Sequence, residues 1–375
     1  MINSLIIRNF RIFKELKIDK LSRVNLFVGK NNSGKSCLLE ALQIYAAKGN
    51  SVDLYKIVLS RDEDWESLLA EKRKNSIRKI SAPLGYLFNG YMLPDINGKA
   101  IEIGPCDSEA DLLKIRHRAF HITEDEEGRR IRTPVEQESI EDDFIDIQTA
   151  LEVKQGEKRL YYIPLEYNRY SSSMRKREFN HINFQVVPTR QINDSNISAL
   201  WDNINLTDLE QEIVSALKII DPNILAVALI GDVSNDRFNS RKNKRIPIVR
   251  YKGIKERIPL KTMGDGLPRL FHIILALVNA KDGLLLIDEF ENGLHWTIHP
   301  KLWNIILKLS YELNVQVIAT THNRDCIKGF YEVWKDKKED ASFYRLEAAS
   351  ETGAKIVNYT QDMLSDAIET DIEVR

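Results

Sequence analysis

The chain has 375 residues, with 54 Lys and Arg against 55 Asp and Glu, so its formal net charge is −1. This balance excludes a chain-wide basic field for nucleic acid, and any such binding would need a local patch. The cysteines (Cys37, Cys106 and Cys326) are far apart and odd in number, so they give no disulfide or metal framework and favour a reducing cytoplasm. Arg8 and Arg11 interrupt the N-terminal apolar run, and no stretch approaches the roughly 18 uncharged residues of a membrane span. We expect a cytoplasmic protein without a signal peptide or membrane contact.

The predicted elements begin with an antiparallel hairpin. Two short β-prone runs, Ser4–Arg8 and Phe13–Ile18, are joined through Asn9–Ile12. The alternating run Arg23–Val28 predicts a strand. Ser36–Ala47 is rich in helix formers with apolar residues at helical spacing. The sequence therefore predicts a β lobe that leads into a strand, a loop and a helix.

The loop between that strand and helix reads Gly-Lys-Asn-Asn-Ser-Gly-Lys-Ser over residues 29–36 and matches the phosphate-binding pattern G-x-x-x-x-G-K-[ST]. Its glycines let successive N–H groups point into one nest, and the following helix adds its positive end. Lys35 can reach the β- and γ-phosphates, and the Ser36 hydroxyl can ligate Mg²⁺. A chance match in a surface turn is the alternative, and the strand and helix flanks disfavour it. The pattern assigns nucleotide contacts to Gly29, Asn31, Asn32, Ser33, Gly34, Lys35, Ser36 and Cys37.

The middle of the chain has a different character. Residues 51–79 are charged and favour a helix, whereas residues 80–165 are predicted to be mostly strands and loops, because short apolar runs such as Tyr86–Leu93 are broken by Gly, Pro and acidic clusters. Further along, the pattern predicts a solvated turn or mobile loop at Glu124–Arg132, helix over Ile197–Ile220, and strands at Ile224–Ile230 and Ile246–Arg250. After Thr262 the order becomes helix, strand, helix, strand.

Two acids follow a buried-strand pattern near the end of the chain. The aliphatic run Gly283–Ile287 is typical of a strand buried on both faces of a parallel sheet, and it ends in Asp288 and Glu289. Acids at a carboxyl end lie where open α/β sheets bind ligands. Asp288 is suited to hold Mg²⁺, directly or through water, and Glu289 to orient or deprotonate the attacking water. A core strand that merely ends in Asp-Glu is the alternative, and the phosphate loop upstream favours the functional interpretation.

A second buried-strand run, Val315–Ala319, ends in Thr-Thr-His-Asn, so His322 can donate a hydrogen bond to a γ-phosphate oxygen. A surface histidine beside a turn is the alternative, and the position one βαβ unit after the acidic pair favours the phosphate role. Gly264 and Gly266, around Asp265, precede the apolar helix predicted at Leu270–Ala280 and make a second anion nest. Such a nest would serve a nucleotide held by a partner; an ordinary Gly-rich loop is the alternative.

In chain order these motifs are the phosphate loop, Met-Gly-Asp-Gly, Leu-Leu-Leu-Ile-Asp-Glu, Glu-Asn-Gly-Leu-His and Thr-Thr-His. The set resembles the ABC-type ATPase heads of the SMC, RecF and OLD (overcoming lysogenization defect) group, in a short stand-alone form. The match covers roughly residues 1–48 and 258–330. The resemblance implies an α/β P-loop NTPase of ABC-ATPase type with a mixed central sheet, an N-terminal antiparallel β lobe and an inserted α+β region. It implies a single head assembled from 1–48 and about 258–375, with 49–257 inserted as a strand-rich and helical lid.

The resemblance also implies roles for the site residues and a partner. Lys35 would bind phosphate, Ser36 and Asp288 would hold Mg²⁺, Glu289 would activate water, His322 would sense the γ-phosphate, and Gly264, Asp265 and Gly266 would form the signature that contacts ATP on the other subunit. ATP would thus join two heads in a homodimer or higher homo-oligomer, and hydrolysis would release them. The signature departs from the usual Leu-Ser-Gly-Gly, with Met263 in the place of Ser. Gln185 is a candidate for the glutamine of the lid.

Features of related ATPases that this sequence lacks narrow the expected role. The chain shows no heptad run of the SMC type, and the segment after His322 is too short for the Toprim domain of full-length OLD nucleases. The acidic cluster at 141–146 is read as a charged loop rather than as nuclease acids. We therefore expect an ATPase that controls a separate effector, and the family association points to bacterial antiphage defence. Two alternatives stay open: a RecF-like DNA-repair ATPase, with basic clusters at 175–177 and 241–245 as DNA contacts, and a nucleotide-gated scaffold with incidental hydrolysis.

Overall fold

The computed structural model describes residues 1–63, 83–124, 130–135, 147–165, 181–189, 194–231, 245–264, 266–336 and 340–374. Within these ranges, thirteen strands form one mixed sheet and three more form a small second sheet. The strands are Leu5–Phe10 (β1), Phe13–Ile18 (β2), Val24–Val28 (β3), Ile101–Gly104 (β4), Leu113–Glu124 (β5), Arg130–Val135 (β6), Ile147–Gln155 (β7), Lys158–Pro164 (β8), Phe184–Val187 (β9), Ile224–Gly231 (β10), Arg245–Tyr251 (β11), Ile258–Pro259 (β12), Leu284–Ile287 (β13), Gln316–Thr321 (β14), Ala341–Ala349 (β15) and Gly353–Tyr359 (β16).

The α-helices of the described ranges pack on both faces of this sheet. They are Lys35–Ala46 (α1), Ser51–Leu59 (α2), Asp194–Asp202 (α3), Asp208–Ile220 (α4), Gly266–Asn279 (α5), His299–Glu312 (α6), Arg324–Trp334 (α7) and Gln361–Glu369 (α8). None of the helices in the described part of the chain is long and apolar enough to cross a membrane.

The large sheet has an antiparallel half and a parallel half. Its strand order is β8-β7-β5-β4-β1-β2-β16-β15-β3-β14-β13-β9, with β6 paired to β5. β15, β3, β14, β13 and β9 run parallel to one another, whereas β1, β2, β4, β5, β7 and β8 form antiparallel ladders. The carboxyl ends of β3, β14, β13 and β9 therefore meet at one edge, where ligands bind in open parallel sheets.

The strand sequences explain why helices cover both faces of the parallel half. β3 is buried along its whole length: Val24, Leu26 and Val28 face one core, and Phe27 faces the other. Side chains alternate between the faces of a strand, so a continuous apolar run needs a hydrophobic layer on each side. One layer comes from α3 to α8, and the other comes from α1, α2 and the antiparallel lobe.

The structure confirms the predicted α/β fold with its mixed central sheet and antiparallel lobe. One local prediction is wrong. The helix predicted over Ile197–Ile220 is two helices, because Leu206 has a φ of 62°, which a right-handed helix cannot contain. In the segment predicted to be mostly strands and loops, Pro83–Leu87 is a 3₁₀ turn, and Phe88 makes one isolated bridge to Phe10.

The predicted division into a head and a lid stays a prediction. Strands from the proposed insertion at 49–257 join the same large sheet as the rest of the chain: β4, β5, β7 and β8 extend the antiparallel lobe, and β9 is the edge strand of the parallel half. The turn predicted at Glu124–Arg132 overlaps the last residue of β5 and the first three residues of β6, and its residues 125–129 lie outside the described ranges.

Candidate functional site

The phosphate loop lies at the carboxyl end of β3 and leads into α1. Gly34 has a φ of 103° and Asn32 a φ of 63°, so the backbone turns through the left-handed region twice. A Cβ on Gly29 would lie 2.4 Å from the Leu346 carbonyl oxygen and 2.6 Å from the Ser33 hydroxyl. Glycine is therefore required at position 29 by close approach and favoured at 34 by conformation.

Lys35 is folded back over this loop. Its ammonium group donates hydrogen bonds to the carbonyl oxygens of Gly29 (2.6 Å) and Lys30 (2.9 Å). Burial lowers the pKa of Lys35, and the nearby carboxylates Asp288, Glu289 and Glu291 oppose that shift. A cation held on neutral carbonyls at the mouth of the loop is suited to exchange these contacts for the stronger bonds that phosphate oxygens offer.

Asp288 connects three elements at the edge of the sheet. Its Oδ2 accepts hydrogen bonds from the hydroxyls of Ser36 (3.0 Å) and Thr189 (3.1 Å), and its Oδ1 accepts one from Thr320 (2.7 Å). Ser36 begins α1, Thr189 follows β9, and Thr320 lies in β14. The two residues predicted to hold the metal, Ser36 and Asp288, are thus in direct contact.

Glu289 has a strained backbone. Its φ is 47°, a left-handed conformation that costs a non-glycine residue about 1–2 kcal/mol. Two contacts hold this turn: the Glu289 N–H donates to the Thr320 hydroxyl (3.0 Å), and Arg269 donates to the carbonyl oxygens of Asp288 (2.8 Å) and Glu289 (3.1 Å). Burial lowers the pKa of Arg269. The Glu289 carboxylate is about one-third exposed, at 34%.

His322 lies beside two carboxylates. Its Nδ1 is 3.2 Å from Oε1 of Glu291 and 3.7 Å from Oε1 of Glu289. The Glu291 side chain is 8% exposed, and it accepts hydrogen bonds from the Thr321 hydroxyl (2.6 Å) and the His322 N–H (3.0 Å). The structure therefore brings His322 to the predicted water-activating residue and adds a second acid that was not predicted.

The predicted signature lies next to this turn. Gly264 has a φ of 102°, and a Cβ on it would meet nothing within 4 Å. Gly266 begins α5, and a Cβ there would lie 2.9 Å from the Gly293 carbonyl oxygen. Asp265 lies outside the described residues. The nest at Gly264 and Gly266 thus adjoins the turn at Gly293, which follows the acidic pair. Gly266 precedes Arg269 by about one helical turn.

Other predicted residues do not join this cluster. The Cys37 side chain is buried and lies 3.8 Å from Arg61, so only its backbone remains for a nucleotide; burial raises its pKa to about 11. Gln185 lies inside β9, paired with Leu285 rather than at the carboxyl end with Thr189. The acidic cluster at 141–146 and the basic clusters at 175–177 and 241–244 lie outside the described ranges, and Arg245 pairs with Asp202.

Sequence reasoning missed four residues of the site: Thr189, Arg269, Glu291 and Thr320. Two of them stood inside quoted motifs, because Glu291 opens Glu-Asn-Gly-Leu-His and Thr320 opens Thr-Thr-His. Their polar character, in a glycine turn and at a strand end, is the signal that could have indicated them. Their contacts cross between elements, so only the folded chain shows which groups they reach.

The residues of the cluster fit a nucleotide with Mg²⁺. α1 begins at Lys35 without a side-chain cap or an acid in its first turn, so its N-terminal N–H groups are available to an anion. The Ser33 hydroxyl is buried without a hydrogen-bond partner among the described residues. No group of three or more His, Cys, Asp or Glu side chains in the described ranges could hold a metal. A Mg²⁺ held by one carboxylate, one hydroxyl and the phosphates of its substrate would need only Asp288 and Ser36 from the chain.

The fold and the site together define a P-loop ATPase. The sequence profile of the AAA ATPase domain family matches residues 1–327, so the chain belongs to that family and is an ATPase. An "ATP/GTP phosphatase" from Helicobacter pylori is 28% identical over 362 residues, which cover 90% of this chain and 89% of that protein.

Two solved structures are similar over nearly the whole chain. One is the Smc head bound to the C-winged helix domain of ScpA, with 14% identity, a TM-score of 0.49, and coverage of 98% of this chain and 99% of that one. The other, derived from Pyrococcus furiosus, is an Smc head domain with an extended coiled coil bound to the C-terminal domain of ScpA, with 12% identity, a TM-score of 0.47 and 99% coverage of each chain.

Proposed function

We propose that the protein is a homodimeric switch that binds and hydrolyses ATP and controls a separate effector. One observation carries the proposal: the Ser36 hydroxyl lies 3.0 Å from the Asp288 carboxylate, at the same edge of the sheet as Glu289 and His322. The groups that bind phosphate and the groups that activate water therefore form one contact network. A protein that only bound nucleotide would not need the second set.

Each residue has a distinct task in the proposed reaction. Lys35 and the N–H groups of the loop bind the phosphates, and Ser36 and Asp288 would hold Mg²⁺, which neutralises charge on the β- and γ-phosphates when bound. Glu289 accepts the proton of the attacking water as the new oxygen–phosphorus bond forms and the bond to the bridging oxygen breaks. His322 donates a hydrogen bond to a γ-phosphate oxygen. All these groups come from one copy of the chain.

The second copy completes the site in this proposal. The nest at Gly264 and Gly266 adjoins Gly293, and the open space around Gly264 leaves room for a phosphate brought by a partner. ATP would then lie between the phosphate loop of one copy and the signature of the other. It stabilises the closed dimer only by binding it more tightly than the open state. Hydrolysis removes that preference and reopens the dimer.

Glu289→Gln is the variant that tests this function. Turnover should fall about 10²- to 10⁴-fold with ATP affinity retained, because the amide cannot accept the proton. The variant should sediment as a dimer with ATP and Mg²⁺ and as a monomer without them. Lys35→Ala should neither bind ATP nor dimerise. Wild-type turnover in Glu289→Gln would remove that residue from the mechanism, and a Lys35→Ala variant that closes with ATP would show that the loop is not the switch.

The effector and the antiphage role rest on the resemblance of the motifs, and the cytoplasmic setting rests on the wide spacing and odd number of the cysteines. The role is tested by plaque counts on cells that carry the protein and its neighbouring genes, with wild type compared against Lys35→Ala. Protection that needs Lys35 supports the defence switch. Protection that persists in Glu289→Gln favours a nucleotide-gated scaffold. Salt-dependent DNA binding that the basic clusters carry would favour the repair ATPase instead.

A further inference from the structure

Glu291 is a buried carboxylate whose contacts all lead to the end of β14. Its side chain is 8% exposed, against 34% for Glu289. Its Oε2 accepts from the fully buried Thr321 hydroxyl, and its Oε1 accepts from the His322 N–H and lies 3.2 Å from the His322 Nδ1. One side chain therefore bonds the backbone N–H of His322 and lies within ion-pair distance of its ring.

Burying the Glu291 carboxylate costs desolvation free energy, which a functional role would explain. A buried carboxylate must be hydrogen-bonded to be tolerated, and replacing it with an apolar residue of similar size is often neutral or stabilising. The two groups that satisfy Glu291 belong to the two residues that bring the proposed γ-phosphate contact to the site. The carboxylate thus lies where it can fix that contact.

The distances also separate two competing partners of the imidazole. Nδ1 of His322 is 0.5 Å closer to Glu291 than to Glu289, at 3.2 Å against 3.7 Å. In a neutral histidine, the hydrogen-bond partner of a ring nitrogen determines which of the two nitrogens carries the hydrogen. Without Glu291, the nearest carboxylate to Nδ1 would be Glu289.

We propose that Glu291 is the positioning residue of His322. This inference rests on the proposed function, because it takes His322 as the γ-phosphate contact. Glu291 holds Nδ1–H toward itself, which directs Nε2 to the phosphate side and keeps the imidazole from pairing with Glu289. The Glu289 carboxylate then stays free to accept the proton of the attacking water. Glu291 itself touches neither nucleotide nor water.

Glu291→Gln tests the proposal because it keeps the size of the side chain while it removes the charge, so the oxygen that faces both the His322 N–H and Nδ1 becomes a weaker acceptor. We expect kcat to fall about 10- to 100-fold, the range found for residues that orient metal ligands, with KM for ATP within about twofold of wild type. Glu291→Asp draws the carboxylate back by one methylene, and its kcat should fall as well. Glu152→Gln is the matched control, because Glu152 is equally buried, at 8% side-chain exposure, and lies in the antiparallel lobe beside Arg118.

Two measurements separate positioning from a structural role. In a double-mutant cycle, Glu291→Gln should add little to His322→Ala, because both remove the same contact. Long-range ¹H–¹⁵N spectra of histidine-labelled protein should show the His322 ring with Nδ1 protonated in wild type and with that preference weakened in Glu291→Gln. His322 is assigned by the signal that His322→Ala removes.

The outcomes distinguish failure of the positioning role from failure of the proposed function. Additive losses in the cycle, or an unchanged His322 ring signal with a lowered kcat, would overturn the positioning role, and so would a folded Glu291→Gln variant with wild-type kcat. If instead His322→Ala keeps wild-type turnover, the proposed function loses its γ-phosphate contact, and the failure lies there and not in Glu291. Thermal unfolding of each variant identifies any that has lost the fold. If Glu291→Gln has lost it, the kcat of Glu291→Asp decides.

Discussion

Arg269 holds the turn that carries the water-activating residue, and removing it should slow hydrolysis more than it weakens ATP binding. Its guanidinium bonds the carbonyl oxygens of Pro188, Asp288 and Glu289. Glu289 has a φ of 47°, which costs about 1–2 kcal/mol unless the surroundings impose it. Arg269→Met keeps the bond between the Glu289 N–H and the Thr320 hydroxyl but removes both carbonyl contacts, and the productive turn becomes a minor state.

The size of the effect follows from that strain. A penalty of about 1–2 kcal/mol lowers the population of the productive turn, and hence kcat, about 5- to 30-fold. The lost hydrogen bonds to a charged group contribute about 1.5–3 kcal/mol each, and the relieved desolvation of the guanidinium offsets part of that. We therefore expect a net loss of about 2–4 kcal/mol in the free energy of unfolding. The dissociation constant of ATP should change less than about twofold, because the phosphate loop is untouched.

Steady-state turnover, ATP titration and denaturant unfolding measure the three quantities on one preparation. Arg118→Met is the matched control, because Arg118 is also partly buried and pairs with a carboxylate, Glu152, in the lobe. A folded Arg269→Met variant with kcat within twofold of wild type would refute the reasoning. So would a loss of ATP affinity as large as the loss of kcat, since the defect would then lie in binding.

Three further predictions concern the loop, the metal and the core. Gly29→Ala should weaken ATP binding at least tenfold and destabilise the fold by about 1–3 kcal/mol, because its methyl group would overlap backbone; titration calorimetry and denaturant unfolding measure both. Thr320→Val should raise the Mg²⁺ concentration for half-maximal turnover about 10- to 100-fold, because Asp288 loses a hydrogen bond. Burial lowers the pKa of His272 from 6.5 to about 3, so His272→Leu should flatten the acid limb of the stability–pH curve.

The sign of the His272 effect follows from linkage. Between pH 6.5 and about 3 the unfolded histidine binds a proton that the folded one does not, so wild-type stability falls as the pH falls, by about 1.4 kcal/mol per unit. Denaturant unfolding at a series of pH values should show that slope reduced in His272→Leu and kept in His295→Leu, which alters an exposed histidine. Equal slopes in all three proteins would contradict the assignment.

The other two predictions have matched controls as well. Gly231→Ala places a methyl group where nothing lies within 4 Å and should leave ATP binding unchanged. Thr352→Val removes a hydroxyl that donates to the nearby Ala354 carbonyl at the start of β16, and it should leave the Mg²⁺ dependence unchanged. Wild-type affinity in Gly29→Ala, or an unshifted Mg²⁺ dependence in Thr320→Val, would show that the corresponding contact does not act as described.

The parts of the site that could be predicted share a local signal. The phosphate loop is contiguous, and Asp288 and His322 each end an apolar run that marks a buried strand. Once the strands are parallel, their carboxyl ends meet, and so do these residues. Element types near the site were predictable for the same reason.

The rest depends on contacts between distant elements. Arg269 follows two glycines at a helix entrance, and nothing in that segment indicates that its guanidinium reaches carbonyl oxygens at the end of β13. Glu291 sits in a polar turn and would be expected to be solvated, yet it is buried against Thr321. The helix break at Leu206 was missed because a leucine with positive φ carries no glycine or asparagine signal.

Whether two copies share one site is the central question for this protein, and a mixing experiment tests it most directly. Glu289→Gln lacks the base but keeps its signature, and Gly264→Val keeps the base but fills its own signature with a side chain that strains the backbone. Each should be inactive alone. Mixed in equal amounts, they should recover about one quarter of wild-type turnover, because half of the dimers are mixed and each of these contains one intact composite site. No recovery in mixtures shown to contain mixed dimers, or full turnover by a wild-type monomer, would contradict the shared site.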